Sequence, residues 1–130
     1  MKIESKKITA QQSATALCNY LADVKNFEQL MPENISKFEV LNDNAFVFAL
    51  KGMPEIALEI KEVNCPGQVV LGAMSDKLPF TLTANISELT ENSSAARLLF
   101  EGDFNPMMKM MIKGPITKFL ETLATNLETS

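Results

Sequence analysis

FTLTANISELTENSSAARLLFEGDFNPMMKMMIKGPITKFLETLATNLET, residues 80–129, is the stretch whose reading decides the fold. It opens in strict alternation, with Phe80, Leu82, Ala84 and Ile86 on one face and Thr81, Thr83, Asn85 and Ser87 on the other. A period of two with one polar row marks an antiparallel strand that is wet on one side. Thr90-Glu91-Asn92-Ser93 turns the chain, and Ala96, Leu98 and Phe100 then oppose Arg97, Glu101 and Asp103. The period changes after that. Asn105 offers a cap, and Pro106 occupies the first helical position, where a missing N–H does no harm. Ile112, Ile116, Phe119, Leu120, Leu123 and Leu127 fall in one arc, opposite Lys118, Glu121, Thr125 and Glu128. A sheet with one apolar face, followed by a long helix with one apolar stripe, predicts that the sheet curls around the helix.

Working back from this point, turn clusters recur about every ten residues, the spacing of an antiparallel meander. Ile35, Phe38 and Val40 lead to Asn42-Asp43-Asn44. Phe46, Phe48 and Leu50 alternate with Val47 and Ala49, so that strand is apolar on both faces. Lys51-Gly52-Met53-Pro54 turns into Ile56, Leu58 and Ile60. Asn64-Cys65-Pro66-Gly67 turns into Val69, Leu71 and Ala73, and Ser75-Asp76-Lys77 turns again. Upstream, residues 2–8 (KIESKKI) read as a first strand. Thr9 and Gln12 have the spacing of a capping box for a helix whose apolar face is Ala14, Leu17, Cys18 and Leu21. Asp23 offers a cap for a second helix, with Val24, Phe27, Leu30 and Met31 apolar and Pro32 as its stop. The predicted order is β-α-α-β-β-β-β-β-β-α, an α+β domain over 1–130.

Composition bounds what such a domain does. Apolar residues make up 46% and charged residues 22%, an ordinary globular balance. No apolar run approaches the roughly 20 residues of a membrane span, so stable membrane insertion is not expected. MKIESKKITAQQ lacks the apolar core of a signal peptide, and the expected location is the cytoplasm. The net charge is −4 with scattered lysines, so the basic stripe that nucleic acid asks for is missing. Cys18 and Cys65 are the only cysteines, and in that setting they are expected to be free, with Cys18 in the core. There is no histidine to activate a thiol or serve as a general base, which disfavours cysteine catalysis. No cofactor or metal site is expected.

KIESKKI (2–8), LCNYLADVKNFEQLMP (17–32) and GPITKFLETLATNLE (114–128) together resemble the helix-grip proteins. These are the START-related SRPBCC superfamily, which includes polyketide cyclase-like proteins, the birch-pollen allergen family and coenzyme Q-binding proteins. Asp23 between two short helices, and Met31-Pro32 before the second strand, match a habit of its small members. The resemblance implies a seven-stranded antiparallel sheet gripping the C-terminal helix, with two short helices closing one end. It carries no catalytic motif.

Three functions compete. The first is binding or transport of a small hydrophobic ligand (lipid, quinone or polyketide-like) between sheet and C-terminal helix. Strand alternation and helix arc nominate Met31, Phe48, Leu50, Leu58, Leu71, Phe80, Leu82, Phe100, Met108, Met111, Ile112 and Phe119 as its lining. The second is a protein-interaction or accessory subunit, or a homodimer, with a filled core and Met107–Met111 as the contact. Met107, Met108, Met110 and Met111 suit either an adaptable lining or plain gap-filling, and four so close together cannot all face one way. The third is a cyclase or hydrolase using Glu59 or Glu55. Glu59, Lys61, Glu55 and Asp76 read instead as a solvated surface, and no catalytic residue is nominated. Gly114-Pro115 predicts a kink or break in the last helix, acting either as a gate for 105–113 or as a fixed bend.

Overall fold

The computed structural model describes residues 1–53, 55–74 and 79–129. Strands β1 (Lys2–Glu4) and β2 (Ile8–Ala10) precede helix α1 (Ala14–Leu21), a 3-10 turn (Val24–Asn26) and helix α2 (Phe27–Leu30). The meander follows as β3 (Ile35–Asn42), β4 (Ala45–Leu50), β5 (Ile56–Asn64), β6 (Gln68–Ala73), β7 (Phe80–Thr90) and β8 (Ser93–Gly102). Helix α3 (Pro106–Thr129) closes the chain. All pairings are antiparallel, and the sheet order is β1-β8-β7-β6-β5-β4-β3, with β2 also on β8. The expected sheet gripping a C-terminal helix is what forms.

The sheet has eight strands because the expected first strand is divided. Lys2–Glu4 pairs with Leu99–Glu101 and Ile8–Ala10 with Ser94–Ala96, so both halves share one edge position. Ser5 bridges the gap: its backbone N–H donates to the Leu98 carbonyl at 2.8 Å and its hydroxyl accepts from the Leu98 N–H at 2.9 Å. Two successive lysines, Lys6 and Lys7, sit in the break and stay exposed.

The helix starts follow local chemistry with one correction. Thr9 is not a cap, because Ile8 and Ala10 are buried on β2 and hold Thr9 in the strand. Ser13 caps α1 instead, accepting from the Ala16 N–H at 3.1 Å. Asp23 caps the 3-10 turn through the Lys25 N–H, and Asn105 caps α3 through the Met108 N–H. Pro115 does not break α3, which runs unbroken past it.

The cysteines are a second correction. Cys18 and Cys65 form a disulfide, with Cα atoms 5.6 Å apart, inside the range a bridge needs. Their sequence separation of 47 conceals the pairing, which arises because the β5–β6 turn comes to lie against α1. Turn positions Pro54 and Ser75-Asp76-Lys77 lie outside the described residues.

The core is one cluster on the inner sheet face, α1, α2 and the second half of α3. On α3, Ile116, Phe119, Leu120, Leu123, Ala124 and Leu127 are buried, and every one of them follows Pro115. No residue before it is buried. The rings of Phe27, Phe46, Phe48 and Phe119 run in contact from α2 through β4 to α3, at centroid distances of 5.1, 6.1 and 5.0 Å.

The disulfide closes a loop of 47 residues, for which chain entropy gives about 4 kcal/mol of stabilisation. Urea unfolding of Cys65→Ser, or of reduced protein, is expected to show a loss of that order. Coincident curves with and without reductant would contradict the bridge.

Candidate functional site

A cavity of about 180 Å³ lies under α3, on both sides of Pro115. Phe48 and Leu58 reach it from β4 and β5, Phe80 and Leu82 from β7, and Phe100 from β8. Met108, Met111, Ile112, Ile116, Phe119 and Leu120 come from α3. The β4–β5 turn adds Gly52 and Met53, Ile56 begins β5, and Phe104 sits in the link to α3. Gly52 makes that turn with φ of +83°, a conformation that side chains with a Cβ resist.

Two aromatic pairs build the walls. Phe48 and Phe119 stack with centroids 5.0 Å apart, and Phe80 and Phe100 meet at 4.9 Å. Phe104 stacks at 6.0 Å on Phe100 and holds this wall at the helix entry. Among the described residues, no titratable side chain lines the cavity. Glu59 pairs with Lys61 on the solvated face, and Glu55 pairs with Lys37 at 2.9 Å. The Lys37 ammonium is held above the ordinary lysine range by its hydrogen bond to Glu55, well away from the cavity. Asp76 lies outside the described residues.

Of the nominated residues, Phe48, Leu58, Phe80, Leu82, Phe100, Met108, Met111, Ile112 and Phe119 meet around this one space. Three do not. Met31 packs into the core at the end of α2, and Leu50 borders a surface groove beside Pro115 and Lys118. Leu71 lies in the filled part of the core with Leu21, Leu30 and Leu123, where only about 10 Å³ is empty. Sequence reasoning missed Gly52, Met53, Ile56, Phe104, Ile116 and Leu120. Ile116 and Leu120 were on the helix arc, and Ile56 on the row of Leu58. Met53 and Phe104 sit in connections, where periodicity gives no signal. The expectation for the methionines divides: Met108 and Met111 line the cavity, while Met107, Met110 and Met111 are largely exposed.

Similar architecture occurs among solved structures. A START superfamily protein from Mycobacterium smegmatis superposes with a TM-score of 0.69 at 15% identity, over 98% of this chain and 94% of that one. The fold is the START-like helix grip. Norcoclaurine synthase from Thalictrum flavum gives a TM-score of 0.74 at 15% identity, over 99% of this chain and 84% of that one. A conserved protein from Geobacillus kaustophilus gives 0.71 at 8% identity, over 99% and 93%. No family model and no curated protein matches the sequence. The helix grip expected from residues 2–8, 17–32 and 114–128 is therefore present at the level of fold.

Gly102 tests the aromatic wall. A Cβ there would stand 2.8 Å from Phe104 Cε2, Phe80 Cβ and the Pro79 carbonyl oxygen. Gly102→Ala is expected to lower stability by about 1–3 kcal/mol, read by thermal unfolding. An unchanged melting curve would show that the wall yields freely.

Proposed function

We propose that the protein binds and carries a small hydrophobic molecule in the cavity between sheet and α3. The observation that carries this reading is a preformed cavity of about 180 Å³ lined by apolar side chains. Folded chains normally fill such space, and each large void weakens the core. A dry cavity of ~150 Å³ with a similar lining accepts a benzene-sized molecule, so the resting space suits one ring or a short branched chain. A longer ligand needs the first half of α3 to move outward. That half contributes no buried residue, so the movement breaks little core packing.

Phenylalanine-rich walls favour a ligand with a flat or unsaturated apolar part, such as an isoprenoid quinone, a polyketide-like aromatic or an unsaturated lipid. Burial of its surface contributes on the order of 25 cal/mol per Å² before ordering costs. Norcoclaurine synthase, which shares the fold, has been crystallised with dopamine and hydroxybenzaldehyde, both small aromatic molecules. Here the described lining residues are all apolar, which supports a carrier. The sequence reading places it in the cytoplasm, whereas disulfides persist mainly in oxidising compartments. Alkylation of Cys18 and Cys65 in freshly lysed cells distinguishes the two, since only reduced thiols react.

Protein purified from its own host is expected to carry a stoichiometric apolar molecule in native mass spectra that is lost on denaturation. Ile112→Trp, which fills the cavity from a half-buried position, is expected to abolish that adduct while the fold persists. Hydrogen exchange over 105–113 is expected to slow with ligand bound. A clean apo mass together with no uptake of apolar fluorescent probes would overturn the carrier reading.

A further inference from the structure

The first half of α3 also carries an apolar face turned away from the molecule. Met107, Met110 and Met111 are 74%, 84% and 65% exposed. At i, i+3 and i+4 they stand on one side of the helix, with Gly114 next in the row. The positions that face the sheet, Ile116, Leu120, Leu123 and Leu127, lie on the opposite side of the same helix. Docking of the second half therefore points these methionines into solvent. Isolated exposed apolar residues are ordinary, but a contiguous row of long ones marks a contact surface.

The charge around the row has one sign. Lys113, three residues after Met110, and Lys118, seven after Met111, are exposed beside the row, whereas Lys109 falls on the opposite side of the helix, and no carboxylate occurs between Asp103 and Glu121. None of the three pairs with an acidic side chain among the described residues. The chain as a whole carries −4, so this positive segment runs against the molecule's overall charge.

We propose that this face docks on the surface of an anionic lipid bilayer. The methionines enter the boundary between headgroups and acyl chains, and Lys113 and Lys118 reach lipid phosphates with their stems lying along the apolar surface. The contact is adsorption, since no helix among the described residues is long and apolar enough to cross a membrane. A second copy fits less well. A twofold contact sets the same lysines against one another, and a short methionine row falls far below the roughly 20 residues a side of a stable interface. Because Met111 belongs both to this face and to the cavity lining, docking brings the cavity mouth to the bilayer. Docking itself does not depend on what the cavity holds.

The test is co-sedimentation of the full chain with vesicles of phosphatidylcholine alone, and of an equal mixture of phosphatidylcholine and phosphatidylglycerol. Binding is expected only to the mixture and is expected to fall as salt is raised. Lys113→Gln and Lys118→Gln should each weaken partitioning roughly fivefold, and M107S with M110S roughly tenfold. Without any variant, the mixed vesicles should slow peroxide oxidation of Met107 and Met110, read by mass spectrometry. No binding to the mixture overturns the proposal, as does equal binding to both compositions. A dimer in light scattering that shields Met107 and Met110 without lipid also overturns it, in favour of self-association. Neither Met107 nor Met110 lines the cavity, so failure here leaves the carrier reading standing, and a clean apo mass leaves docking standing.

Discussion

One helix is too narrow to cover this sheet, and the rest of the architecture follows from that mismatch. Seven strand positions at ~4.8 Å spacing span close to three times the ~10 Å width of a helix. The uncovered inner face must be closed by something else or left partly open. At one end α1, the 3-10 turn and α2 close it, burying Leu17, Leu21, Val24, Phe27 and Leu30. The second half of α3 covers the middle. Toward the other end the first half of α3 contributes no buried residue, and there the cavity remains, walled also by Ile116, Phe119 and Leu120 from beyond Pro115. The void is thus a consequence of how elements are shared out along the sheet.

The closed end is also the fastened end. The Cys18–Cys65 bridge ties α1 to the β5–β6 turn, and the Asn126 amide donates to the Leu30 carbonyl at 2.9 Å, tying α3 to α2. The contacting rings of Phe27, Phe46, Phe48 and Phe119 carry that packing up to the cavity wall. Stability is expected to be uneven as a result, since segments with few buried apolar contacts open at lower free energy than a core. Pro115 marks the boundary, with every buried residue of α3 on its C-terminal side. A proline there withdraws the hydrogen bond to the Met111 carbonyl without breaking the helix, so the two halves remain one rod with unequal anchoring.

Much of this was legible in the residues because local chemistry and tertiary packing agree. The turns at Asn42–Asn44, Asn64–Gly67 and Thr90–Ser93 and the cap at Asn105 stand where their side-chain and backbone preferences put them. The errors come from quantities that periodicity does not encode. Alternation tells which face of a strand a residue occupies, but not whether its position lies under α1 and α2 or under the loose half of α3. Leu71, Leu82 and Phe100 are aligned across β6, β7 and β8. Yet Leu71 meets the filled core, Phe100 meets the cavity, and Leu82 borders both. Phe104 and Met53 were invisible because connections have no period. The disulfide was missed because it was argued from location, whereas the fold decides which thiols meet.

The composition of the lining sets what kind of selectivity the site can have. With apolar side chains throughout its described lining, the site has little to match hydrogen bonds with. It works by exclusion: a polar group carried into this space loses its water and finds no partner, at a penalty of several kcal/mol against an apolar occupant of the same shape. Such a site discriminates strongly against polarity and weakly among apolar shapes, more so where methionine, a side chain that adapts its shape, forms the inner surface of the mouth at Met108 and Met111. Orientation of an amphiphilic ligand must then come from outside the cavity.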